Sequence, residues 1–307
     1  MRRIVRDRYA PVLGKIALDV DHALALRARS GAAGRTTPTR LAHGGGWSVE
    51  DVICTSGPAD RPFEEQHEST TIAIVVSGTF QYRASSGNEL MTPGSLLLAN
   101  PGQRFECAHA HGAGDRCVAF RFSPELFEQL VAGAGHAERS FRASRIPPLR
   151  ALAPLVARTA FGVSVAASEP WEEIAYLLAA RAVGLSAGAR LEADNLPTRA
   201  MARTTDSVRR IERDPAASWT LSQLAEEARL SAFHYLRTFT RVTGVTPHQF
   251  ILRARLRLAA MHLAANDAKV IDVASAAGFL DLANFNHSFR AEFGVAPQAF
   301  RSAARRR

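Results

Sequence analysis

Two stretches in the last third of the chain repeat one another at a spacing of about fifty residues. Leu224, Ala225, Ala228 and Leu230 recur as Val273, Ala274, Ala277 and Phe279, an offset of 49. Phe239, Gly244, Val245, Pro247 and Phe250 recur as Phe289, Gly294, Val295, Pro297 and Phe300, an offset of 50. A repeat of this size is one supersecondary unit used twice, and it has to be read before any local propensity. Each copy is laid out as a short amphipathic helix, a turn, a second helix and a glycine stop. That is the pattern of a helix-turn-helix, whose second helix is built to enter a DNA major groove.

The charge lies with the repeat. The chain of 307 residues has 38 Lys and Arg against 29 Asp and Glu. Residues 199–307 hold 17 basic and 9 acidic side chains, so the first 198 residues are nearly neutral. A basic unit beside a neutral one points to a polyanionic partner for the basic unit. The length suffices for two cores. No run of 18 apolar residues and no apolar leader segment occur, so neither a membrane span nor secretion is expected. The three cysteines, Cys54, Cys107 and Cys117, make no disulfide framework, and a reducing cytoplasm is the expected location.

The first 198 residues read as a β-rich domain. Thr71–Val76 and Thr79–Arg83 are strands parted by Ser77-Gly78. Leu96–Leu98 and Arg116–Phe122 are further strands, and Gly/Pro punctuation indicates a barrel or sandwich. Leu18–Arg29 reads as a short helix and Gly31–Gly46 as loop. Two helices follow over about 149–185, with Leu152, Leu155, Val156 and Thr159 on one face of the first. The second carries an apolar stripe of Ile174, Leu177, Leu178 and Ala182. This stripe packs on the barrel or forms a dimer seam. Residues 186–203 read as a linker. The second domain, 204–307, is helical, with units at about 221–242 and 270–292. Ser218 and Ser231 are the expected N-caps, and Pro247 opens a long connecting helix.

In the second helix of each unit one side must pack. Tyr235 with Phe239, and Phe285 with Phe289, are spaced four apart for that purpose. Phe233, His234, Leu236, Arg237 and Arg241 are left for the groove or its phosphate walls in the first unit. Leu282, Ala283, Asn286, His287 and Arg290 are left in the second. Some 19 residues of connector give a rise of about 28 Å, against about 34 Å per DNA turn, so one protomer can address two successive major-groove segments. Arg253, Arg255 and Arg257 on the connector reach phosphates or form a solvated face. Arg229 and Gly278 stand at the turns, where a positive φ is expected.

These residues carry a resemblance. Leu224-Ala225 to Ser231, Arg237-Thr238-Phe239, Gly244-Val245-Thr246-Pro247 and Arg255-Leu256 resemble the first half of an AraC-family DNA-binding domain. Ile271 to Ala274, Gly278-Phe279-Leu280-Asp281, Asn284-Phe285-Asn286, Phe289, Phe293 to Pro297 and Phe300-Arg301 are similar to its second half. The resemblance covers about a hundred residues. It implies a sequence-specific regulator of transcription that binds double-stranded promoter DNA, recruits RNA polymerase as an activator, and answers to a small effector. A homodimer is the expected assembly. His287 departs from the arginine common in the family, which weakens a guanine contact there. The β-rich domain resembles the cupin-like sensor of such regulators, through Gly78, Gly94 and Pro101-Gly102. The expected fold class is therefore α+β. A cupin-like β-barrel with two flanking helices precedes an all-α domain of two helix-turn-helix units joined by a long helix.

The alternative function is a cupin-type metal enzyme, or a metal or redox sensor, with a DNA-binding tail. The family's metal tetrad is incomplete: Glu65 stands where a histidine would precede His67, and Phe105 where another would follow Gly102. No Gly-x-Ser-x-Gly, P-loop, dinucleotide fingerprint or His-Glu-x-x-His occurs, so no enzyme and no resident cofactor are expected. Cys107, His109 and His111 alternate, and in a strand they would share one face, with Cys117 on a neighbouring strand. Such a set could hold Zn²⁺, with Cys54 and His67 as further donors at the barrel mouth. The competing reading is a half-exposed strand with structural cysteines.

Overall fold

Residues 20–136, 140–164, 169–187 and 198–305 are described by the computed structural model. Helix α1 (residues 20–30) precedes β1 (Thr36–Gly44), β2 (Trp47–Cys54), β3 (Phe63–Gln66), β4 (Thr70–Gly78) and β5 (Phe80–Ala84). Then come β6 (Gly87–Met91), β7 (Leu96–Ala99), β8 (Arg104–Ala108), β9 (Asp115–Phe122), α2 (Pro124–Gly133) and the short β10 (Arg145–Ile146). Among the described residues the strands form an antiparallel six-stranded sheet, β1-β2-β9-β4-β7-β10. A four-stranded one, β3-β8-β5-β6, lies against it.

Strands β4, β7 and β9 are apolar on both faces because both faces are covered. Ile72, Ile74, Leu96, Leu98, Val118 and Phe120 point to the helices. Their neighbours Ala73, Val75, Leu97, Ala99, Cys117 and Ala119 point to the smaller sheet, where Phe80, Tyr82, Met91 and Cys107 meet them. The period-2 alternation of side chains thus feeds two cores at once.

Residues 31–46, expected as loop, contain β1. This strand is exposed along nearly its whole length and has no apolar alternation to reveal it. Its backbone pairs with β2 from Thr36↔Cys54 to Gly44↔Trp47 around a bulge at Arg40/Ala42. At a sheet edge Pro38 costs no ladder bond that matters.

A 3₁₀ turn (Arg150–Leu152) leads into α3 (Ala153–Ser164), and α4 (Trp171–Ala187) follows. On α4, Ile174, Leu178 and Ala182 are fully buried against the large sheet, whereas Leu177 is 44% exposed. Helix α3 is buried on two sides. Leu155 and Val156, with Leu152 of the preceding turn, enter the sheet-facing core. Ala153 and Ala157 pack into a core of the C-terminal domain, and Ala160 meets Met261. The alanines let the two domains approach closely. Beneath it, Arg116 holds both carboxylate oxygens of Asp51, at 2.8 and 2.6 Å, and donates to the Val163 carbonyl at 3.1 Å.

The C-terminal elements are α5 (Thr198–Arg213), α6 (Leu221–Glu227), α7 (Ala232–Thr243), α8 (Pro247–Ala265), α9 (Val270–Ala276), α10 (Leu282–Phe293) and α11 (Pro297–Arg305). The linker expected over 186–203 lies largely outside the described residues, and α5 already begins at Thr198. The N-cap of α6 is Thr220, in a capping box with Gln223, rather than Ser218. Ser231 caps α7 and Thr246 caps α8, the latter with Pro247 at the first turn.

Helix α8 joins two cores. Phe250, Ile251 and Ala254 pack with Leu224, Tyr235 and Phe239. Leu256, Ala259, Ala260 and Leu263 pack with Val273, Phe285 and Phe289. Being surrounded, it uses its arginines internally. Arg253 pairs with Glu292 at 3.2 Å and Arg257 with Glu212 at 2.5 Å. Arg255 donates to the carbonyls of Pro215 and Ala217 at 2.9 and 2.8 Å. They are neither a solvated face nor free for phosphates. At the two turns Arg229 has φ 53° and Gly278 φ 86°. A Cβ at Gly278 would come within 2.8 Å of the Ala216 backbone, so the second turn demands glycine where the first tolerates arginine.

Candidate nucleic-acid interface

Helices α7 and α10 each divide along their length. Tyr235 and Phe239 are at most 1% exposed and their rings lie 5.7 Å apart. Phe285 and Phe289 are fully buried, 5.5 Å apart, and Phe289 also meets Phe293 and Phe300 at 4.5 and 5.5 Å. These pairs pin one side of each helix to its core. On the other side Phe233, His234, Arg237 and Arg241 are exposed on α7, and Ala283, Asn286, His287 and Arg290 on α10. Leu236 and Leu282 are half-buried and sit at the edge of each face. Phe233 is 69% exposed and lies under the Arg237 guanidinium, 5.8 Å from the ring centre. That contact orients a cation that would otherwise be free to sweep. Both helix N-termini are fixed: Ser231 accepts from the His234 amide, and Asp281 accepts from the amides of Ala283 and Asn284. Leu280, named above only as part of the family resemblance, is wholly exposed just before α10.

The domains are docked through polar clamps. Arg209 on α5 donates to Thr79 Oγ1 at 2.9 Å and to the carbonyls of Ala113 and Gly114 at 3.0 and 3.2 Å. Arg145 on β10 pairs with Glu89 at 2.7 Å and donates to the Thr243 carbonyl at the end of α7, 2.8 Å away. Leu90, Met201 and Val242 form a small buried cluster between them.

The cysteine and histidine candidates part company. Strand β8 ends at Ala108 and the chain turns over residues 109–114, so the alternation that would align Cys107, His109 and His111 stops. Cys107 and Cys117 face the interior between the sheets. Burial, then the Asp115 carboxylate, pushes both thiols well above their ordinary range. His109 joins Cys54 and Asp115 instead, with donor atoms mutually within 4.8 Å; Cys107, His111 and Cys117 are outside that group. His109 Nε2 lies 2.6 Å from Asp115 Oδ1, and Cys117 Sγ donates to Asp115 Oδ2 at 3.4 Å. Burial lowers the His109 pKa, but Asp115 and Cys54 outweigh it and raise it to about 9. Asp115 went unnoticed in the sequence because it lies across a turn from His109; an acid opening a strand otherwise rich in apolar residues was the available signal.

His67 is elsewhere. Its Nε2 is 3.0 Å from the Tyr82 hydroxyl and its ring stacks on Phe105 at 4.1 Å. Burial, with the charge of Arg121, lowers its pKa from 6.5 to about 4. Between those values the unfolded chain binds a proton that the folded ring refuses. Stability therefore falls as pH drops from 6.5 towards 4, by at most about 3 kcal/mol. Substituting His67→Gln is expected to flatten that part of the urea-unfolding profile. An unchanged slope would assign the loss to other groups.

Residues 224–303 match the family model of a helix-turn-helix domain, and residues 51–174 that of an AraC-like ligand binding domain. The transcriptional activator NphR of Rhodococcus sp is 28% identical over 256 residues, 76% of this chain and 70% of that protein. The RCS-specific HTH-type transcriptional activator RclR of Escherichia coli (strain K12) is 30% identical over 91 residues. That match spans 30% of this chain and about a third, 32%, of the relative's length. Among solved structures, the DNA-binding domain of AdpA in complex with a target DNA is 27% identical. It covers 34% of this chain and 94% of that one, with a TM-score of 0.33.

Proposed function

Because the chain belongs to the AraC family of DNA-binding transcriptional regulators, carrying an N-terminal ligand-binding domain and a C-terminal helix-turn-helix domain, we propose that it activates transcription in the cytoplasm in response to a small effector. Each protomer reads two adjacent major-groove segments of promoter DNA. Residues 1–198 sense and dimerise, and residues 204–307 bind DNA and recruit RNA polymerase. The observation that carries this reading is the pairing of α7 and α10. Two helices with packed inner sides and exposed outer sides stand at either end of a connector of 19 residues. At about 1.5 Å per residue it spans some 28 Å, close to one DNA turn. The names of the two curated relatives support activation. In the dimer, α4 offers its outer strip around Leu177, since α3 is occupied by the C-terminal domain.

Selection of genomic fragments by the purified protein is expected to yield two motifs about one helical turn apart. Within that site Arg237→Ala should weaken specific binding by about 1–3 kcal/mol and relax the preference at one position. Uniform, salt-sensitive binding with no preferred sequence would sink the reading. An unaltered footprint for Arg237→Ala would remove Arg237 from the base-reading set.

A further inference from the structure

The buried group at the end of the barrel has more donors than a structural ion pair needs. Cys54, His109 and Asp115 are 4, 6 and 5% exposed, and their donor atoms lie within 4.8 Å of one another. Cys117 Sγ, 7% exposed, is 3.4 Å from the second Asp115 oxygen. The His109–Asp115 contact uses one ring nitrogen, while the other, Nδ1, is buried with no hydrogen-bond partner. An orphaned imidazole nitrogen in the interior costs free energy unless something takes its lone pair or proton.

We propose that Cys54, His109 and Asp115 form a binding site for a borderline-soft divalent cation, Zn²⁺, with Cys117 as the fourth donor. One imidazole, one carboxylate and two thiols suit zinc, and a single carboxylate is too few oxygens for magnesium or calcium. Ligands about 2.0–2.3 Å from a tetrahedral centre stand roughly 3.3–3.8 Å apart, so small side-chain movements close the site. Binding releases to solvent the proton shared by His109 and Asp115 and the protons of the thiols that ligate.

The site lies against the clamp between the domains. Arg209 donates to the carbonyls of Ala113 and Gly114, the residues immediately before Asp115.

The test uses the full chain, stripped with a chelator under reducing conditions and titrated with Co²⁺. The expected result is a thiolate-to-cobalt charge-transfer band that saturates at one equivalent and is displaced by Zn²⁺. Cys54→Ser and Asp115→Asn, each checked for folding by circular dichroism, should abolish it, and Cys107→Ser should keep it. Absence of the band, or a band of full strength in both Cys54→Ser and Asp115→Asn, overturns the site.

Discussion

Phe289→Ala is expected to destabilise the second helix-turn-helix by about 3–5 kcal/mol, the cost of removing a buried aromatic ring and leaving its cavity. Phe289 is fully buried and touches three other aromatic rings, of Phe285, Phe293 and Phe300. These come from α10, its C-terminal end and α11, so the surrounding backbone cannot collapse without moving α10. The same core holds Ala153 and Ala157 of α3, and the loss should reach the domain interface. Urea unfolding followed by tryptophan fluorescence checks the magnitude. In a DNA footprint, the protection due to the second unit should disappear before that of the first. A loss below about 1 kcal/mol would show that the ring is not the keystone of this core.

Asp51→Asn should cost a comparable amount, about 3–5 kcal/mol, by removing the carboxylate that accepts two hydrogen bonds from a buried guanidinium. The side chains of Arg116 and Asp51 are 3% and 12% exposed, and the guanidinium also holds the Val163 carbonyl near the end of α3. The bidentate pair therefore fastens β2, β9 and α3 together. Since α3 is the surface on which the C-terminal domain docks, the variant should unfold earlier and become more protease-sensitive between the domains. Thermal melts and limited proteolysis read the two effects. A melt indistinguishable from wild type would mean that water replaces the carboxylate at no cost. Replacing both residues by apolar ones of similar shape should recover much of the loss, because the pair itself is worth less than its disruption.

The two helix-turn-helix units were legible because their determinants are local. Tyr235/Phe239 and Phe285/Phe289 mark the inner side of each helix by spacing alone, and Ser231, Thr246-Pro247 and the Gly244 and Gly294 stops mark the ends. The structure gives α8 the bounds Pro247–Ala265 and places both glycine stops in the left-handed region. Ser218 misled because a serine three residues before a helix resembles a cap; the capping box needs Gln223 three residues after the cap, which selects Thr220. Strand β1 was hidden because an exposed edge is held by backbone pairing and needs no side-chain pattern.

The interior of the first domain was less legible. Alternation of Cys107, His109 and His111 presumes a strand that continues, and whether it does depends on where β8 loses its partner β5, whose pairing reaches only Gln81↔Ala108. Once the chain turns there, His109 meets Asp115 at the start of β9 and its register partner Cys54 on β2.

The sequence by itself determined the repeated DNA-binding unit, the sides of its recognition helices and the basic charge they share, because residues three to four apart on a helix must share a face. Only the tertiary structure decided the rest. Arg253, Arg255 and Arg257 serve the protein interior, α3 packs at the domain interface, and Cys54 and Asp115 of the paired strands β2 and β9 share one buried site with His109 of the turn before β9. Those outcomes depend on which surfaces meet at long sequence separation, and no local pattern along the chain encodes such meetings.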